Sequence, residues 1–312
     1  DSAALAIYLK DKYPNLHIEY YSSDTKCELD ETIQFIDRLR SYLGHITTLI
    51  AAEGSPEPTP FDHFLKVSGG YLPSVQARWC TQKMKLAEFE KFVGDTPTVS
   101  YVGEDREGYV STKPNIQAIF PFRKNIWSMD VIHEVLHDKN IENFAECYRN
   151  VADDETYQTV EAALTSKLTK HFYYSKKLNM LLDADVITFN HAVFSFLKQY
   201  TDYPVGKLDY FPLIDNDEVL VREEIFRILE DSGVGIPAYY NLIDFEVDGK
   251  KGQYCRSRSG CYFCFFQQKI EWIWLYEQHP DLFKKAMEYE KDGYTWIQGE
   301  PLSELIRPER VR

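Results

Sequence analysis

Along its first hundred or so residues the chain alternates short apolar runs with stretches whose apolar positions recur every three to four residues. Asp1 to Lys10 has the amphipathic helical pattern, and its opening Asp1-Ser2 pair is suited to satisfying free backbone N–H groups. Such a helix start is expected to be delivered by a strand and loop upstream. Tyr13-Pro14-Asn15 predicts a turn, His17 to Ser22 a strand, and Asp30 to Gly44 a helix with Asp30 as its N-cap and Ile33, Ile36, Leu39, Tyr42 and Leu43 on one face. A strand over Ile46–Ala51, a loop through Gly54–Pro60 and a strand over Thr98–Gly103 follow.

Alternating strands and helices of this kind predict an α/β fold. A parallel, Rossmann-like sheet would be covered on both faces, with ligands at the carboxyl ends of its strands. The first strand of that sheet is expected before Asp1, which would place a phosphate site at the N-terminus of the first helix. From about Trp127 helical signals dominate, over Asp130–His137, Glu155–His171 and Leu178–Tyr200, and residues 215–233 predict a loop, a short helix and a turn. The expected division is a nucleotide-binding domain over 1–137 and a mostly helical C-terminal domain over 138–312 that carries a Cys-rich element.

Composition narrows the function classes. With 312 residues, 44% hydrophobic and 27% charged, the chain can bury a sizeable core. A net charge of -14 argues against a generally basic nucleic-acid surface, so any DNA or RNA is expected to be met at a local basic site or presented by a partner. No apolar run is long enough to span a membrane. Six cysteines, unevenly spread, do not form a secreted disulfide framework, and a reducing, cytoplasmic setting is expected. The 15% aromatic content reads first as core packing.

Three stretches carry candidate chemistry. Asp24-Thr25, after the strand ending at Ser22, offers a carboxylate and a hydroxyl for a ribose or a hydrated Mg²⁺, although two such residues also make an ordinary turn. Arg78-Trp79-Cys80-Thr81-Gln82-Lys83-Met84-Lys85 sets three cations around a cysteine, an arrangement that lowers a thiol pKa, holds phosphates or balances a cluster.

Cys255-Arg-Ser-Arg-Ser-Gly-Cys261-Tyr-Phe-Cys264 contains a C-x-x-C unit with Gly260 before it, and Cys80 is the best candidate for a fourth ligand beside Cys255, Cys261 and Cys264. Four thiolates suit zinc or an iron–sulfur cluster, and spacing does not separate the two. Tyr262, Phe263, Phe265 and Phe266 would shield the centre, and Arg256 and Arg258 would offset its charge. Cys27 and Cys147 read as buried structural thiols, and His133, His137 and His191 as packing or capping residues. Glu104-Asp105-Arg106-Glu107, after Gly103 at a strand end, is either a nucleotide or Mg²⁺ site or a charged surface loop.

Taken together, these segments resemble the PP-loop ATP pyrophosphatase superfamily, in its phosphoadenylylsulfate (PAPS) reductase-like branch. Asp1-Ser2 resembles the end of that family's Ser-Gly-Gly-Lys-Asp-Ser loop. Ser23-Asp24-Thr25 with Glu28-Leu29 is similar to its Asp-Thr-Gly segment, with Lys26 in place of the glycine. Arg78-Trp79-Cys80-Thr81 with Lys83 and Lys85 is similar to its Cys-Thr and basic segment, and Trp127-Ser128-Met129-Asp130-Val131 to its Trp-Ser-x-Asp-Val stretch. The Ile-Arg-type segment that the family usually carries is absent between Gly103 and Glu104. Residues 256–267 most resemble the C-terminal signature of the ATP pyrophosphatase subunits of bacterial DNA phosphorothioation systems (DndC/SspD type).

The resemblance implies cleavage of ATP to AMP and pyrophosphate, with the AMP moiety activating a DNA backbone phosphate for sulfur insertion. It implies Ser2, Asp24, Lys83 and Arg106 as catalytic residues, and Asp1, Ser2, Asp24, Thr25, Gly103 and Glu104 at ATP and Mg²⁺. Cys80, Cys255, Cys261 and Cys264 would hold a [4Fe–4S] cluster, with Zn as the alternative. The implied partners are a cysteine desulfurase and other phosphorothioation subunits, with DNA presented alongside them. A PAPS or APS reductase, a tRNA thiolase of the same superfamily and a non-catalytic, cluster-stabilised interaction module are the competing readings. No Cys follows Cys264, which counts against a reductase with a C-terminal nucleophilic cysteine.

Overall fold

The computed structural model describes residues 1–103, 110–247, 249–258, 260–291 and 293–307. In chain order its elements are α1 (Ser2–Lys12), β1 (Tyr21–Asp24), α2 (Asp30–Leu43), β2 (Thr47–Ile50) and α3 (Pro60–Val67), then α4 (Trp79–Thr81), which runs through a π-helical turn (Gln82–Leu86) into α5 (Ala87–Val93). There follow β3 (Thr98–Tyr101), β4 (Ile116–Ile119), α6 (Met129–Val135), α7 (Ile141–Val151), α8 (Asp154–Thr165), α9 (Tyr174–Ala184), α10 (Val186–Tyr200) and α11 (Arg222–Asp231). The chain closes with β5 (Ile243–Val247), β6 (Lys250–Tyr254), α12 (Lys269–Gln278), α13 (Pro280–Glu288) and α14 (Leu302–Leu305).

The fold class is α/β. Among the described residues the strands form three two-stranded sheets: β1 with β2 and β3 with β4, both parallel, and β5 with β6, antiparallel. The chain divides into two compact units, one of Asp1–His17 with Val93–Ile228 and the other of Ile18–Phe92 with Leu229–Arg312.

In the first unit, α7, α9 and α10 pack around Phe144, Tyr148, Leu181, Phe189, Val193 and Phe196, all buried. Trp127, also fully buried, donates its indole N–H to Asn190 at 2.9 Å, so the one polar atom of this ring is satisfied inside the core. The single helix expected over Leu178–Tyr200 is two. Asp185 takes an extended conformation and its carboxylate accepts from Thr188 N, which ends α9 and starts α10. The helix expected to reach His171 stops at Thr165, where the buried Lys177 Nζ donates to the carbonyls of Leu164 and Ser166 at 3.0 and 3.1 Å. A cation on the last free carbonyls is a helix stop that no local sequence signal reveals. His137 caps the following turn through Lys139 N and His133 packs on Tyr174.

No single described helix is long and apolar enough to cross a membrane. The helices α9 and α10 reach that length and hydropathy only as a pair bent by 119°.

In the second unit β1 lies further along than the pattern predicts, at Tyr21–Asp24 instead of His17–Ser22, because its partner β2 sets the register: Tyr21 pairs with Thr47 and Asp24 with Ile50. Helix α2 begins at Asp30 itself, with Leu29 in the cap position, and ends at Gly44 with φ 99°. Helix α3 follows the loop expected over Gly54–Pro60: Thr59 caps it, its hydroxyl accepting from Asp62 N, and Pro60 takes the first helical position. The core is aromatic: Phe61, Trp79, Phe263, Trp272 and Trp296 are buried together, with Phe263 4.3 Å from Phe61 and 5.1 Å from Trp296 between ring centroids.

Candidate functional site

The site is built outward from the end of β1. Asp24 is the last residue of the strand, and Thr25, Lys26, Cys27 and Glu28 turn the chain toward α2. Asp24 Oδ1 accepts from Lys26 N at 2.8 Å, and Lys26 Nζ sits 2.6 Å from Asp24 Oδ2. Lys26 has φ 58°, in the left-handed region that favours glycine. The backbone therefore does at Lys26 what glycine does with less strain, and the side chain set there pairs with the neighbouring carboxylate.

Thr25, fully buried, joins this turn to the Cys-rich segment. Its hydroxyl donates to Glu28 Oε1 at 2.6 Å and lies 3.1 Å from Cys261 Sγ. Glu28 pairs with Cys261 in an antiparallel bridge, Tyr262 N donates to Cys27 O at 2.9 Å, and the Glu28 carboxylate also accepts from Thr25 N and Cys27 N. Residues 25–28 and 261–262, more than two hundred positions apart, thus form one hydrogen-bonded knot.

The basic segment supplies the remaining groups. After Cys80 the helix widens into a π turn in which Ala87 N reaches back five residues to Gln82 O, a local departure that is common where a helix carries functional groups. Trp79 anchors the segment in the core through its indole N–H on Tyr71 O at 3.0 Å. Burial works against charge on the Lys85 ammonium, yet Cys261, Cys264, Glu28 and Cys80 hold its pKa above the ordinary lysine value. The residue keeps solvent access while these groups surround its charge.

Burial pushes the Cys261 thiol up to about 12; Lys85 and the Thr25 hydrogen bond pull it down, and Glu28 and Cys264 add to the rise. Burial likewise pushes Cys80 up, opposed by Thr81 and Lys85. Cys80, Cys261 and Cys264 therefore share one electrostatic neighbourhood, centred on Lys85. Cys255, half-exposed, stands directly after the end of β6. All six cysteines are free thiols. Among the described residues no group of three or more His, Cys, Asp or Glu side chains is close enough to hold a metal ion between them.

The two arginines that the sequence set beside this element part company. Arg258 is exposed and lies 4.9 Å over the Phe266 ring, which Arg78 also covers at 4.7 Å. Arg256 is fully buried, with Nη2 donating to Cys261 O at 3.3 Å and the guanidinium 5.8 and 5.6 Å over Tyr239 and Trp274. The loop is pinned by Glu271, also buried, whose carboxylate accepts from Ser257 N, Ser257 Oγ and Gln268 N at 2.7, 3.0 and 2.7 Å.

Of the other predicted residues, Lys83 places its ammonium 5.8 Å over the Phe64 ring in the same unit. In the other unit, Gly103 lies against the start of α1: a Cβ on it would stand 2.8 Å from Asp1 C and Ser2 N, so that backbone approach admits only glycine. Glu104 and Arg106 lie outside the described residues. Cys27, expected as a buried structural thiol, is buried, and burial first and the neighbouring Cys261 second push its pKa up. Glu28, Glu271 and the special place of Arg256 had no local signal, because each depends on a distant partner.

Comparison with protein-family models, curated proteins and solved structures finds no match for this chain.

Proposed function

We propose that this protein is an ATP pyrophosphatase of the PP-loop, PAPS reductase-like type, which cleaves ATP to AMP and pyrophosphate and activates a DNA backbone phosphate for sulfur insertion. The observation that carries this reading is the knot at Thr25: the strand end bearing Asp24 is hydrogen-bonded directly to the thiol segment, through Thr25 Oγ1 and Cys261 Sγ at 3.1 Å. A carboxylate at the carboxyl end of a parallel strand, with ammonium groups and clustered thiols beside it, is the chemistry that a cluster-bearing adenine-nucleotide enzyme requires. The reading keeps the expectation of a Rossmann-like parallel sheet and of domains over 1–137 and 138–312.

Cys80, Cys255, Cys261 and Cys264 would hold the [4Fe–4S] cluster. In charge the donor set suits such a group: the buried Arg256 and the exposed Lys85 both have thiols in their field, a balance that favours a centre of net negative charge. When bound, the cluster supplies a compact anionic centre able to exchange single electrons.

This chain's own residues do the rest. Ser2, next to the backbone position that only glycine at 103 allows, is assigned to phosphate, and Asp1, Gly103 and Glu104 to the nucleotide and its Mg²⁺. Asp24 orients the nucleotide or its Mg²⁺, with Lys26 and Thr25 fixing the turn that carries it. Lys83 and Arg106 are assigned to the charge that develops on departing pyrophosphate, where preorganised cations lower the barrier most. A cysteine desulfurase would supply sulfur and further phosphorothioation subunits would present the DNA, as the acidic net charge of -14 favours, in a cytoplasmic setting.

The test incubates the intact protein with α-labelled ATP and Mg²⁺ and separates AMP from ADP. AMP with an equal amount of pyrophosphate is expected, and Asp24→Asn and Lys83→Ala should abolish it. ADP as the product refutes the proposal. An absence of turnover that persists with desulfurase and DNA present leaves the interaction module. Iron and zinc analysis of the purified protein decides the metal.

A further inference from the structure

Charge is spread unevenly along the second unit. The chain holds 49 Asp and Glu residues, yet none falls between His63 and Ala87 or between Gly249 and Ile270, where the lysines and arginines go unopposed in sequence. The fold brings these two acid-free stretches to one ring: the guanidinium of Arg78, from the first, lies 4.7 Å from the centroid of Phe266, and that of Arg258, from the second, lies 4.9 Å from it. Phe266 is itself backed by Phe265, with 4.4 Å between ring centroids. Lys83 and Lys85 follow Arg78 on the same segment and add to the positive field.

Not every cation of the two stretches faces outward. Arg256 is buried, and Lys269 is paired with Glu300 at 2.5 Å. Arg258, in contrast, is exposed and makes no hydrogen bond or ion pair among the described residues. Arg78 is half-buried and is fixed in place by its Nε–H on Val75 O at 3.2 Å. A guanidinium held on a ring is positioned without using up its charge, and its planar fork suits a phosphate group. Two like charges carried on one ring also repel each other, and an anion set against both relieves that repulsion.

We propose that Arg78 and Arg258, carried together on Phe266, form a contact for the phosphate backbone of duplex DNA. The net charge of -14 repels a polyanion over the chain as a whole, so an approaching duplex is steered to the acid-free surface. Phe266 holds cations instead of leaving its ring to an unpaired base, which favours a backbone contact over the stacking of a single strand. DNA as the partner rests on the function proposed above; the paired guanidiniums depend on neither ATP cleavage nor a cluster.

The test follows the fluorescence anisotropy of a labelled DNA duplex as the intact protein is added at a series of salt concentrations. Wild type is compared with Arg258→Met, Arg258→Lys, Arg78→Met and, as a control, Lys91→Met; Lys91 is exposed in the same unit and pairs with Glu88. Wild-type affinity is expected to fall as salt rises. Each Arg→Met change should weaken binding and reduce the slope of log affinity against log salt by about 1, the share of one phosphate contact. Arg258→Lys keeps the charge and should keep the slope, and Lys91→Met should change neither quantity.

A wild-type protein that does not bind the duplex overturns the inference, as does a slope in Arg258→Met equal to that of wild type. A single strand or poly-glutamate that binds more tightly than the duplex, with the same loss in Arg258→Met, overturns it in favour of the other partner. Should Arg78→Met not fold, Arg258→Met decides alone. Failure of duplex binding leaves ATP cleavage to its own assay, and failure to form AMP leaves the duplex contact standing.

Discussion

Glu271→Gln removes one charge and almost no volume, and should unlatch the loop that carries the thiols. The carboxylate is buried and holds three donors, with Ser257 N and Oγ on one oxygen and Gln268 N on the other, which closes the capping box of α12. A glutamine keeps one carbonyl oxygen and turns an NH₂ toward the other backbone donor, leaving a buried N–H unmet at about 1–3 kcal/mol. The hydrogen bonds that remain lose their charge assistance, and the buried Arg256 loses the nearest compensating charge, which together add about 2 kcal/mol. The expected loss is about 3–5 kcal/mol. Four of the five tryptophans, Trp79, Trp272, Trp274 and Trp296, lie in the unit that contains Glu271, so tryptophan emission under urea follows that unit. The midpoint should fall with little change in slope. A stability loss below about 1 kcal/mol would refute the view that Glu271 fixes the loop.

Phe263→Ala should cost about 3–5 kcal/mol, since its ring is buried against Phe61, Trp296 and Tyr289, and a thermal melt with a loss under about 1.5 kcal/mol would mean that the site collapses around the gap. Lys177→Met leaves the Leu164 and Ser166 carbonyls without their donor and gains back the desolvation that holds the lysine pKa low, for a net loss of about 1–3 kcal/mol. Hydrogen exchange should speed up in the last turn of α8, and unchanged protection there contradicts the capping role. At Glu134, burial raises the carboxyl pKa but hydrogen bonds from Lys139 and Asn140 outweigh it and hold it below the ordinary value. Its contribution is therefore present above the unfolded-state value and fades as pH falls through the folded one. Glu134→Gln should melt lower than wild type at pH 7 and equally at pH 3; a gap that persists in acid counts against the linkage.

The local chain determined much of the element order. The apolar spacing of α2, the Gly44 stop and the β-forming runs of β2 and β3 act within one or two turns of backbone, so they are legible from neighbours alone. The Cys-rich segment and the basic Cys80 segment stand out in the sequence for the same reason: their residues are consecutive. Tertiary structure decided what depends on partners far along the chain. The register of β1 follows from β2 and the early end of α8 from the ammonium of Lys177, whereas the split at Asp185 is a local cap on Thr188 N that the apolar spacing outweighed in the sequence pattern.

The same holds at the site. Nothing near Thr25 announces a hydrogen bond to Cys261, and nothing separates Arg256 from Arg258 until one is enclosed by Tyr239, Trp274 and Glu271 and the other is left on Phe266. Spacing names which residues can do chemistry. Burial and distant charge decide which of them are compelled to.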